Sequence, residues 1–165
     1  MKSLDPAAIL RNLVDADVHF VLIGGMAAIF LGSTSVTQDL DICYARDKEN
    51  LAKLAAVLKA LSARPRGLNR TLPVRIDMQT LRNGANFTFE TSAGPLDCLA
   101  ELSGGFNYAL LAPNATAELF EGMKIPVVAL DDLIRMKRAA GRPKDLIEVE
   151  NLSALREVRD KRRRS

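Results

Sequence analysis

One histidine, two cysteines and no long apolar run characterise this 165-residue chain. A lone His19 excludes a histidine-built metal centre and a Ser-His nucleophile. Two cysteines are too few for a disulfide scaffold and read as free thiols of a reducing compartment. The apolar stretches, such as Val21–Ile23 and Met26–Leu31, are short and broken by glycine, so no membrane span is expected. The first residues, Met1 to Pro6, lack the apolar centre of a signal peptide, and a cytoplasmic location is expected. Ten glycines and seven prolines are too few for a collagen-like or low-complexity chain. No internal repeat and no long linker is visible.

What is present suits one folded domain. The chain is 48% hydrophobic and 26% charged, enough to build a core within a polar surface. Its net charge of +3 is unevenly placed. Residues 156–165 hold six basic and two acidic groups, so the remainder is close to neutral. A second basic run, Arg135, Lys137, Arg138, Arg142 and Lys144, contains no acid. The basic balance therefore does not imply a nucleic-acid-binding surface over the whole molecule.

Patterning gives the elements. Asp5-Pro6 opens a helix to about Asp15, and Val18–Ile23 reads as a buried strand. Gly24-Gly25 follows, then a short helix over Met26–Leu31 closed by Gly32. Asp39–Tyr44 is a second strand, with Asp39, Asp41 and Cys43 on one face. Asp47 caps a helix over 48–62, whose Leu51, Leu54, Leu58 and Leu61 share a face. Residues 63–73 read as a loop, and 74–84 as a helical turn ending at Gly84. Asn86–Thr91 and Leu96–Leu102 form a strand pair. Ala117–Phe120 and Lys124–Ala129 form a small hairpin around Gly122. Asp131 caps a helix over 132–140, Gly141 closes it, and Pro143 opens a last helix over 144–158. The expected fold class is α+β, with a core over 1–129, packed C-terminal helices over 130–158 and a disordered basic tail over 159–165.

The chemistry concentrates at Gly24-Gly25 and Asp39-Leu40-Asp41. Residues two apart on a strand point the same way, so both carboxylates lie on one face. Their repulsion raises one pKa unless a cation neutralises them. Oxygen-only ligands of this charge favour a hard divalent metal such as Mg²⁺. Gly-Gly at a strand-to-helix turn lets backbone N–H groups approach a phosphate. A dinucleotide-binding Gly-x-Gly-x-x-Gly is excluded, because Gly25 is followed by Met26, Ala27 and Ala28. Cys43 and Cys98 read as small buried hydrophobes.

In this order the residues resemble the DNA polymerase beta-like nucleotidyltransferase superfamily. The resemblance rests on Ile23-Gly24-Gly25, then Gly32 to Gln38, then Asp39-Leu40-Asp41-Ile42. It extends to Gly94-Pro95-Leu96-Asp97-Cys98-Leu99, where Asp97 takes the place of a third carboxylate. The segment Leu130 to Leu146, with Lys137, Gly141-Arg142 and Lys144-Asp145, is similar to bacterial minimal nucleotidyltransferases related to AbiEii-type toxins. The resemblance implies the nucleotidyltransferase fold, a short mixed sheet flanked by helices with a C-terminal helical pair. It implies that Asp39 and Asp41 hold two Mg²⁺ ions and that Asp97 binds the metal serving the acceptor hydroxyl. Gly24, Gly25, Ser35 and Thr37 would touch the triphosphate of an NTP, joined by Lys137, Arg142 and Lys144. Ser35 stands where many relatives carry Arg. The implied activity is transfer of an NMP to a hydroxyl of a tRNA 3′ end, a protein side chain or a small molecule such as an aminoglycoside. Because the chain is short for a small-molecule enzyme with its own substrate domain, tRNA or protein is the expected acceptor, in a toxin–antitoxin setting with a cognate antitoxin or other partner protein. A nucleotidyltransferase-like module that only binds a nucleotide or partner is the alternative.

Overall fold

The Asp5 carboxylate accepts a hydrogen bond from the amide of Ala8 at 3.1 Å, and Pro6 needs no partner for its nitrogen. Together they start helix α1, Pro6–Asp15, in a computed structural model that describes residues 2–165. Ile9, Leu10 and Leu13 bury the inner face of α1. Strand β1 (Phe20–Ile23) leads directly into helix α2 (Gly24–Phe30), and β2 (Leu40–Tyr44) leads to α3 (Lys48–Ala60). Then come β3 (Arg64–Pro65), α4 (Met78–Asn83), β4 (Asn86–Thr91) and β5 (Gly94–Leu99). Short 3-10 turns flank α5 (Tyr108–Leu111). The hairpin β6 (Thr116–Phe120) and β7 (Met123–Val127) precedes α6 (Leu130–Ala140) and α7 (Pro143–Arg164).

All seven strands join one mixed sheet in the order β3-β4-β5-β2-β1-β7-β6. β2 runs parallel to β5 and antiparallel to β1, and β1 runs parallel to β7. The α+β class and the mixed sheet agree with the sequence reading. All four residues of β1 are buried, as suits a strand covered on both faces. Helix α1 packs on β7 and α3, while α2 packs on β2 and α6. Leu133, Ile134, Val149 and Leu152 carry the last two helices into the same core. Among the described residues no helix is long and apolar enough to cross a membrane.

Several boundaries differ from expectation: β5 runs over Gly94–Leu99 rather than 96–102, α4 over Met78–Asn83 rather than 74–84, and four further differences have a local reason. No separate turn divides β1 from α2, because Gly24 at φ +70° redirects the chain within one residue. The expected loop over 63–73 contains β3, with Arg64 paired to Glu90 and Pro65 to Phe89. Proline is tolerated there because β3 is an edge strand. Helix α6 begins at Leu130, so Asp131 lies inside its first turn and does not cap it. Helix α7 continues to Arg164, through the tail expected to be disordered. Residues 159–164 contain only Arg, Lys and Asp, with no glycine or proline to stop it.

Candidate functional site

Paired residues of neighbouring parallel strands project to the same side of the sheet. The register of β2 on β5 sets Leu40 against Leu96, Asp41 against Asp97 and Ile42 against Cys98. Leu40, Leu96, Ile42 and Cys98 are fully buried and fix that register. The alternation then leaves Asp41 and Asp97 together on the other face. Asp39, one residue before β2, keeps the same parity. One carboxylate oxygen from each of Asp39, Asp41 and Asp97 lies within 4.8 Å of the others, and all three residues are half-buried.

The glycines make room for this cluster. β1 pairs Ile23 with Asp41, which delivers Gly24 to the flank of the Asp41 carboxylate. A Cβ on Gly24 would overlap Asp41 Oδ2. A Cβ on Gly25 would come within 3.0 Å of Thr37 Cβ and Oγ1. Thr37 Oγ1 in turn donates to the carbonyl of Asp39 at 3.1 Å and accepts from its amide at 3.4 Å. Gly24, Gly25, Thr37 and the three aspartates thus form one contiguous patch. Ser35 stays within its loop: its hydroxyl and amide meet the Ser33 hydroxyl at 2.8 and 3.1 Å.

The electrostatics follow from this crowding. Burial pushes the Asp41 carboxyl up to about 7, and the charges of Asp97 and Asp39 add to the rise. The Lys137 ammonium opposes it. Burial also raises Asp97, against the lowering effect of Arg66. Asp41 Oδ1 is buried and has no hydrogen-bond partner. An orphaned carboxylate oxygen among three convergent anionic oxygen donors is a good fit for a hard divalent cation.

Arg66 was not anticipated. Its Nη2 donates to Asp97 Oδ1 at 2.8 Å and to the Phe89 carbonyl at 3.2 Å. Its backbone amide donates to the Thr88 carbonyl at 2.9 Å. The side chain therefore reaches across β4 to β5. Nothing in the run Arg-Pro-Arg-Gly over 64–67 distinguishes this arginine from its neighbours.

The C-terminal cations divide. Lys137 is largely buried, 2.9 Å from Glu148 Oε2 and 3.7 Å from Asp145 Oδ1. The first contact is an ion pair without hydrogen-bond alignment, since Glu148 Oε2 accepts no hydrogen bond. Arg142 clamps Asp145 with two bonds, Nε to Oδ2 at 2.6 Å and Nη2 to Oδ1 at 3.1 Å. The Asp145 carboxylate also accepts from the Arg142 amide at 3.2 Å, closing the N-terminus of α7. Hydrogen bonds from Arg142 hold Asp145 below the usual carboxylate range. Lys144 is exposed and makes no ion pair among the described residues. Of the three cations expected at a triphosphate, Lys137 acts on Asp41, Arg142 is turned to Asp145, and Lys144 faces solvent.

No protein-family model matches the chain, and no curated protein matches it. Solved structures do share its fold. A lincomycin-bound lincosamide antibiotic adenylyltransferase, LnuA, is 14% identical with a TM-score of 0.63. That match covers 93% of this chain and 99% of that one. ANT(2″)-Ia in complex with adenylyl-2″-tobramycin is 18% identical with a TM-score of 0.56, covering 94% and 95% of the two chains. A nucleotidyltransferase, so described provisionally, from Thermotoga maritima is 18% identical with a TM-score of 0.52, covering 94% and 90%. The fold is therefore the nucleotidyltransferase fold that the sequence resemblance implies.

Proposed function

We propose that the protein is a divalent-metal-dependent nucleotidyltransferase that moves an NMP from an NTP to a hydroxyl acceptor. The observation that carries this reading is the β2–β5 register, which gathers Asp39, Asp41 and Asp97 beside Gly24. In this reading the three aspartates hold Mg²⁺. Bound metal would supply neutralisation of the charge that develops on the attacking and leaving oxygens.

The chain's own residues do the positioning. The acceptor oxygen attacks the α-phosphorus, the bond to the bridging oxygen breaks, and pyrophosphate leaves. The bare backbone at Gly24 and Gly25 admits phosphate close to Asp41. Thr37 fixes the main chain at Asp39. Asp97 faces the acceptor and offers a carboxylate oxygen to its hydroxyl proton. Lys137, beside Glu148, offers positive charge towards the phosphates; Arg142 could join only by releasing Asp145, and Lys144 from its exposed position.

The acceptor we favour is a small polyhydroxylated molecule. Of the fold neighbours, the lincosamide antibiotic adenylyltransferase binds lincomycin and ANT(2″)-Ia holds adenylyl-2″-tobramycin, and each match spans nearly the whole of both chains. A tRNA or protein acceptor, with an antitoxin partner, rests on the likeness of residues 130–146 to minimal nucleotidyltransferases and is the second reading.

The test is incubation with each α-labelled NTP and Mg²⁺, against aminoglycosides and lincosamides, total tRNA, and cell lysate. Transfer of label to a small molecule, abolished in Asp41→Asn, is expected. Transfer to tRNA or protein alone would replace the acceptor assignment. Absence of product with every NTP and acceptor would leave a binding module and refute the enzyme.

A further inference from the structure

Asp97 already has a cation. The Arg66 guanidinium is 2.8 Å from Oδ1, inside the cluster of three carboxylates. We infer that Arg66 is an exchangeable counter-ion of Asp97, which competes with the divalent metal for that carboxylate and withdraws when the metal binds. The inference rests on the metal-centre reading above and adds a residue that sets how tightly the centre closes.

Three observations carry it. The first is position. Arg66 is tethered by its own backbone to Thr88, and Thr88 pairs with Asp97 across β4 and β5. Its guanidinium therefore stays within reach whether or not it touches Asp97. The second is incomplete seating. Arg66 Nε is buried without a partner, although a guanidinium normally satisfies its donors in a buried pair. Leaving Asp97 thus releases a donor that the present position does not satisfy. The third is a way out. The Arg66 side chain is 29% exposed, against 16% for Asp97, so the arginine reaches solvent more than the carboxylate it holds. Its bond to the Phe89 carbonyl can persist after the one to Asp97 breaks.

Competition follows from charge. A guanidinium and a divalent ion repel one another across the few ångströms of this cluster, and low local dielectric magnifies the effect. Without Arg66, three carboxylates would meet with only Lys137 opposing them. The arginine keeps the metal-free cluster tolerable and weakens metal binding at Asp97.

The experiment is titration of the full chain with Mn²⁺, reading free Mn²⁺ by electron paramagnetic resonance at neutral pH. Arg66→Gln is expected to bind Mn²⁺ at least about tenfold more tightly than wild type. Arg66→Lys keeps the charge and is expected to stay within about threefold of wild type. In an Asp97→Asn background, Arg66→Gln is expected to give little further tightening, because the contested carboxylate is gone. Unchanged or weaker binding by Arg66→Gln in a folded protein would overturn the competition. Wild type that binds no Mn²⁺, with Arg66→Gln equally silent, would overturn the metal centre and this inference with it. Should Arg66→Gln fail to fold, wild-type protein decides: Mg²⁺ is expected to shift the Arg66 Nε–H resonance, assigned by its loss in Arg66→Lys. A resonance unmoved at saturating Mg²⁺ would refute the exchange.

Discussion

Gly24 carries two demands at one residue. Its φ of +70° is unfavourable for other side chains, and any Cβ there would overlap Asp41 Oδ2. Gly24→Ala is expected to destabilise the protein by about 2–4 kcal/mol, from backbone strain and displacement of Asp41. Chemical denaturation measures the first effect, and loss of metal binding reports the second. Asp41 makes a pH prediction. Its folded value of about 7 exceeds the ordinary 3.8, so the metal-free folded protein holds a proton that the unfolded chain releases. Stability from this group therefore falls as pH rises from 3.8 to about 7, and metal affinity rises over the same window. Asp41→Asn is expected to flatten that slope and to stabilise the metal-free protein at pH 8 by about 1–3 kcal/mol. Urea unfolding in chelator at pH 5 and pH 8 checks it. The aspartates were legible in sequence because strand alternation and the spacing after Gly24-Gly25 constrain them. Arg66 was not, because its role depends on a two-residue edge strand that no periodicity announces.

Elements are held together by a few buried polar groups as well as by apolar faces. Asn50, in the first turn of α3, is 2% exposed. Its Nδ2 donates to the carbonyls of His19 and Ala45 at 3.0 and 2.7 Å, and its Oδ1 accepts from the His19 amide at 2.7 Å. One side chain thus ties α3 to the segments flanking β1 and β2. Asn50→Ala would strand buried backbone groups and is expected to lower stability by about 2–4 kcal/mol. Hydrogen exchange should show the α3 N-terminus opening with the start of β1. The long helices were legible because Asp5, Asp47 and Pro143 mark their starts and Leu51, Leu54 and Leu58 repeat at helical spacing. Arg142 and Asp145 lie three apart, and that spacing serves the helix cap before it serves any ligand.

The whole molecule separates its charge from its chemistry. The last residues of α7, from 161 onward, are exposed and strongly basic, and they set the pI of about 9.0 without contributing to the core. Deleting residues 161–165 is expected to change stability by less than about 0.5 kcal/mol and to leave transfer to a small acceptor intact. A marked, salt-sensitive loss of transfer would instead favour a polyanionic acceptor, since phosphate contacts are screened by salt. Thermal melts and transfer assays at two ionic strengths measure both outcomes. The pairing of β2 with β5 has one more consequence, for how the gene can change. A single codon gained or lost within Gly94–Leu99 would turn Asp97 inward and bring a leucine or Cys98 onto the site face. A change of two codons would restore the alternation but carry Asp97 about 6–7 Å along the strand, away from Asp41. Lineages of this fold should therefore hold the length of β5 up to Asp97 fixed, purging insertions of either parity there even where the core still packs.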